Sequence, residues 1–135
     1  MSESRKHMDL VKLAYEWICE SVPDNYRPFV AIDSPESVQS NDVNGFIPDV
    51  YYDFNNTMYI GEAKTLKDFD RNHSRQQYDA YLKRCEKYDG DAHLVISVPW
   101  QLLNTAKNYF RLYKIKNNCT TQVIIITDMK TTSEI

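Results

Sequence analysis

The sequence predicts an α/β domain: a central mixed sheet flanked by helices, with elements in the order α-β-β-β-α-β-α-β. Three observations carry this expectation. Apolar residues recur at helical spacing in three separate stretches. Two strand-like segments meet at Asn55-Asn56, a dipeptide suited to a two-residue hairpin turn because asparagine tolerates positive φ. Gln122–Thr127 is almost continuously β-branched and apolar, as a central strand tends to be.

The first helix is expected from about Arg5 to Ser21, where Leu10, Val11, Ala14, Ile18 and Val22 form a stripe that Met8, Leu13, Tyr15 and Trp17 widen. Asp9, Lys12, Glu16 and Glu20 hold the opposite arc. Pro23-Asp24-Asn25 ends it, and a short strand follows at Phe29–Asp33. Ser34 to Gly45 is a polar loop. The hairpin strands are expected at Pro48–Phe54 and Thr57–Thr65.

A second polar loop, Leu66 to His73, leads into a helix that Ser74 is expected to cap. Its apolar side is Tyr78, Tyr81, Leu82, Cys85 and Tyr88, and Gly90 is its expected stop signal. His93–Pro99 has the pattern of a buried strand. Trp100 to about Tyr113 is expected as a third helix on Leu102, Leu103, Ala106, Tyr109, Phe110 and Tyr113, before the strand at Gln122–Thr127.

At 135 residues, 42% hydrophobic and 26% charged, residues 1–135 suit one globular domain. The longest aliphatic run, Val123-Ile124-Ile125-Ile126, is far too short for a membrane span. The N-terminal residues lack an apolar signal core, so a cytoplasmic location is expected. Cys19, Cys85 and Cys119 are odd in number and widely spaced, which suits buried thiols better than a disulfide framework or a zinc site. The net charge of −3 hides an asymmetry: residues 1–63 carry four basic and eleven acidic side chains, and residues 64–116 eleven basic and six acidic. Such a division is compatible with a phosphate-binding surface beside a metal site, although scattered Lys and Arg are more often plain solvated faces. With three glycines and no Gly-rich loop, nucleotide hydrolysis of the P-loop kind is disfavoured.

Folding the hairpin about Asn55-Asn56 sets Asp49 opposite Glu62, with Lys64 two residues on and on the same face. Opposed carboxylates about 5 Å apart repel by about 3 kcal/mol at an effective dielectric of about 20, and by about 1 kcal/mol in water. A divalent cation between them reverses that sign, and Mg²⁺ suits one or two carboxylates supplemented by water and phosphate oxygens. The Ala63 carbonyl is a further candidate oxygen ligand. Tyr51, Met58 and Ile60 extend the same face as an apolar floor. The plainer alternative is a solvent-facing hairpin whose Lys64 pairs with either acid.

Pro48-Asp49 followed by Glu62-Ala63-Lys64 across a hairpin, within the order α-β-β-β-α-β, resembles the PD-(D/E)XK nuclease superfamily over residues 5 to 127. The resemblance implies a restriction-endonuclease-like core and Mg²⁺-dependent hydrolysis of DNA phosphodiesters by an activated water, with Mn²⁺ able to substitute. It implies Asp49 and Glu62 as metal ligands with the Ala63 carbonyl, and Lys64 as the catalytic lysine. Such relatives often add an acid from the first helix; Glu16 is the candidate, with Glu20 next. Asp53, two pairs along, is too far to share the ion.

Gln77 and Tyr81, four apart on one helix face, complete a Gln-x-x-x-Tyr pattern. Together with the Ser-Arg-Gln-Gln run it resembles the branch holding VRR-NUC and Gln-x-x-x-Tyr nucleases. This implies that Gln77 reaches the active site to orient the water or a phosphate, with Arg71, His73, Arg75 and Tyr81 against the substrate. A core-facing Tyr81 beside an incidental Gln77 is the alternative. His7 and His93 have no partner at ligand spacing. The chain is acidic overall, whereas small junction-cutting relatives tend to be basic, and no appended DNA-binding module is expected within residues 1–135. The partner expected is DNA and not a membrane, and the expected assembly is a homodimer or a subunit of a larger complex. The competing function is a catalytically silent nuclease-fold subunit that binds DNA or acts as a scaffold.

Overall fold

The computed structural model describes residues 4–33 and 42–135. Part of the expected Ser34–Gly45 loop, residues 34–41, lies outside them. The chain runs α1 (Arg5–Ser21), β1 (Ala31–Ile32), β2 (Val50–Phe54), β3 (Thr57–Ala63), α2 (Asn72–Lys87), β4 (Asp91–Val98), α3 (Leu103–Asn117), β5 (Gln122–Thr127) and β6 (Thr132–Glu134). Short 3₁₀ turns at Asp24–Phe29 and Trp100–Leu102 precede β1 and α3. The strands form one mixed sheet in sequence order, β1 to β6. β3, β4 and β5 are parallel, and the remaining neighbours pair antiparallel.

The hairpin has the expected register: Val50 pairs with Gly61, Tyr52 with Tyr59 and Phe54 with Thr57. Asn55 and Asn56 both take left-handed backbone, φ 54° and 66°, as a type I′ turn requires. α1 covers one face of the sheet through Leu10, Val11, Ala14 and Ile18, packed on Val50, Tyr52, Ala63 and Val95. α2 and α3, as crossovers between parallel strands, cover the other face. There Tyr78, Tyr81, Leu82, Ala106 and Phe110 meet Met58, Ile60, Leu94 and Ile96. Burying each large aliphatic contributes roughly 1.5–3 kcal/mol, so these faces hold the helices in place.

Several boundaries differ from expectation. Phe29 lies in the 3₁₀ turn, leaving β1 only two residues. Ser74 does not cap α2: the helix starts two residues earlier, with Arg71 in extended backbone as its cap. The Ser74 hydroxyl instead donates to the Asp68 carbonyl at 2.6 Å, tying the first turn to the preceding loop. Gly90 lies beyond the helix end, and a Cβ there would sit 2.4 Å from the Asn56 carbonyl oxygen. The glycine is needed for close approach to the hairpin turn. β6 was not expected, because Thr132-Ser133-Glu134 carries no apolar alternation and is held by main-chain pairing to β5. Cys85 and Cys119 are buried free thiols, and Cys19 is half-buried. Among the described residues no helix is long and apolar enough to cross a membrane.

Candidate active site

The carboxyl end of β3 gathers side chains from four elements. Continuing the β2–β3 register sets Asp49 opposite Glu62 and Pro48 opposite Ala63. Proline has no N–H to return to the Ala63 carbonyl, so the ladder cannot close there. The Ala63 N–H goes instead to Asp49 Oδ2 at 2.9 Å, which aims the carboxylate at the strand end. Even-numbered β3 residues face α2, and Glu62 and Lys64 are both buried there.

α2 closes the site from above. Tyr81 donates its hydroxyl to Glu62 Oε1 at 3.0 Å, and the Lys64 ammonium lies 3.5 Å from Glu62 Oε2. Lys64 also donates a short hydrogen bond to the Gln77 amide oxygen. These contacts link four side chains in a row: Gln77, Lys64, Glu62 and Tyr81. Gln77 and Tyr81 meet on one face because they are one helical turn apart. Tyr81 is thus both core-facing and bonded to the acid, and the solvent-facing hairpin alternative does not describe this site.

These contacts do not neutralise Glu62. Burial and then the charge of Asp49 push its carboxyl up to about 8, against the lowering pull of Lys64 and the hydrogen bonds it accepts. The same burial and the Glu62 charge drive the Tyr81 hydroxyl upward, so it stays a donor.

α1 reaches the site through His7, whose Nε2 lies 3.4 Å from Asp49 Oδ2. Glu16 is a correction. Nine residues beyond His7, it stands about 13 Å further along the helix and half a turn round, with an exposed side chain. Glu20 is exposed as well. A further acid comes from the residue just after β1, where Asp33 donates its N–H to the Asp49 carbonyl at 2.9 Å. Though largely exposed, the Asp33 carboxyl is raised by partial desolvation and by the charge of Asp49. Neither His7 nor Asp33 has a local signal, since both arrive through tertiary register.

The expected substrate contacts divide. Tyr81 bonds Glu62, whereas Arg71 is held by Asp68 and the Lys67 carbonyl, and Arg75 by Asp70 at 2.5 Å. His73 is exposed and packs its ring edge-on to Phe46. These three stand at the first turn of α2 and its approach and make none of the contacts to Glu62 or Lys64. Asp53 is engaged by Tyr88 at 2.7 Å, away from Asp49.

Among the described residues no group of three or more His, Cys, Asp or Glu is gathered as a cation cage. The donor set is instead two carboxylates and a carbonyl freed by proline, with burial and the Asp49 charge disfavouring ionisation of Glu62. That chemistry fits a hard cation that keeps part of its water shell, as Mg²⁺ does. Compared with models of known protein families, with curated proteins and with solved structures, the chain matches none.

Proposed function

We propose that the protein is a Mg²⁺-dependent deoxyribonuclease with a restriction-endonuclease-like core. The observation that carries the reading is the buried Glu62, held against Asp49 and beside Lys64 at the end of one hairpin. Two structural carboxylates placed this way weaken the sheet unless a cation joins them. The element order α-β-β-β-α-β, with the two acids on adjacent strands and the lysine two residues on, supports the same reading.

Asp49, Glu62 and the Ala63 carbonyl would hold the ion, which supplies Lewis acidity to a water and to the scissile phosphate. The residues of the chain have separate tasks. Lys64, anchored by Gln77, stabilises charge that develops on the phosphate oxygens. Tyr81 fixes the Glu62 carboxylate by its hydroxyl, so the acid need not reorganise during the reaction. Gln77 orients Lys64 and leaves the ammonium its remaining donors for substrate.

The test is cleavage of labelled single-stranded, duplex, flap and four-way-junction DNA with Mg²⁺ or Mn²⁺, beside Glu62→Gln and Lys64→Met. Metal-dependent cleavage lost in both variants is expected. Undiminished cleavage in either would remove this site from the reaction. A silent DNA-binding or scaffold subunit is the second reading, favoured by the net charge of −3 and by the contacts Lys64 and Glu62 already make within the chain. Chelation separates them: binding by a silent subunit survives it and cleavage does not.

A further inference from the structure

Three neighbouring parallel strands each end in an exposed apolar side chain at the same edge of the sheet. Leu66 follows β3 and is 54% exposed, Trp100 follows β4 and is 55% exposed, and Met129 follows β5 and is 67% exposed. In open α/β sheets the carboxyl ends of the strands are where ligands bind. A cleft of about 480 Å³ opens there between the start of α1 and the connections after β3 and β4. That volume lies in the range of about 300–1,000 Å³ typical of small-ligand sites.

Its walls are the apolar side chains Leu10, Leu66 and Pro99, and its polar groups are Lys6, Lys67 and Gln101. Two acids also line it. Asp128 is already engaged, accepting the Trp100 N–H at 2.9 Å, which ties the β4–α3 connection to the turn after β5. Asp9 is exposed and available as an acceptor. The cleft adjoins the candidate active site along two segments. Lys6 precedes His7, which touches Asp49, and the lining residue Thr65 follows Lys64.

We infer that this cleft takes one unpaired nucleobase of a DNA strand, next to the phosphate presented to Asp49 and Glu62. The inference rests on the nuclease reading for its ligand class. Its other grounds are the shape and chemistry of the cleft. Apolar walls suit the base faces, while Gln101 and Asp9 match the donors and acceptors on a base edge. Lys6 and Lys67 stand where the flanking phosphates pass, and Trp100 at the rim offers a platform for the next base. A paired base cannot enter, so DNA with a single-stranded stretch at the site is preferred over continuous duplex.

The experiment is fluorescence anisotropy of a labelled oligo-dT and of a blunt duplex of equal length, in chelator so that nothing is cut. Wild-type protein is compared with Leu66→Glu and Trp100→Ala, both at exposed positions that leave the core intact. The single strand is expected to bind at least tenfold more tightly than the duplex, and each variant to lose about tenfold for the single strand alone. Equal affinity for the two DNAs, or single-strand binding unchanged in both variants, overturns the cleft assignment. The two readings fail separately. Metal-dependent cleavage without base preference leaves the nuclease and removes the cleft. Cleft-dependent binding of oligo-dT without any cleavage does the reverse.

Discussion

His7 Nε2 lies 3.4 Å from Asp49 Oδ2, so the first helix enters the carboxylate site through its first turn rather than through the acids on its outer arc. His7→Ala is therefore expected to lower metal-dependent cleavage by about 10–100-fold, as loss of a group supporting a ligand does. Glu16→Ala should leave the rate unchanged. Measuring both variants at saturating Mg²⁺ and across a Mg²⁺ titration checks the pair. A larger loss in Glu16→Ala would contradict this geometry.

Stability of the metal-free protein should fall with rising pH. Burial and Asp49 raise the Glu62 carboxyl from 4.5 to about 8. Between those values the folded state binds more protons than the unfolded one, so the slope of stability against pH is negative. The favourable contribution is complete below about pH 4.5 and lost through pH 8, up to about 5 kcal/mol in all. Mg²⁺ favours the ionised carboxylate, so its stabilising effect should grow over the same window. Melting temperatures from pH 5 to 9, with and without Mg²⁺, test this, and Glu62→Gln should flatten the metal-free profile.

Tyr81→Phe removes a donor that lowers the Glu62 pKa. The midpoint of that stability transition should move to higher pH, with little change in the fold because the ring stays packed. An unshifted midpoint would mean that Tyr81 does not bond the ionised acid.

Gln77→Ala leaves the buried Lys64 ammonium without its amide acceptor. A cost of about 1–3 kcal/mol is expected from urea unfolding. Cleavage should also fall, and in kcat more than in KM, because in the proposed reaction Lys64 acts on charge that develops in the transition state. A change in KM alone would place Gln77 against substrate instead.

Gly90→Ala tests the seat of the hairpin. Its Cβ would meet the Asn56 carbonyl oxygen at 2.4 Å, and backbone must move to admit it. The expected loss is about 1–3 kcal/mol, read as a lower urea midpoint at unchanged slope. An unaffected midpoint would mean that the turn gives way freely.

What the sequence by itself determined about this protein was local. Helical periodicity placed α1 from Arg5 to Ser21, and a continuous β-branched apolar run placed β5 from Gln122 to Thr127, at the bounds observed. Asn55-Asn56 set the turn, and the turn set a register that put Asp49 and Glu62 face to face. Four-residue spacing put Gln77 and Tyr81 on one side of α2, where both meet the Glu62–Lys64 pair. Each follows from neighbours within a turn or two of chain, whose geometry leaves few choices. Other features are decided only by the tertiary structure: His7 at Asp49, Asp33 bonded to the Asp49 carbonyl just after β1, the cleft at the strand ends, and β6 on the sheet edge. These contacts join segments distant in sequence. They are selected by how α1 and the sheet bury their shared apolar face, and that packing has no signature in the spacing of His7, Asp33 or Thr132.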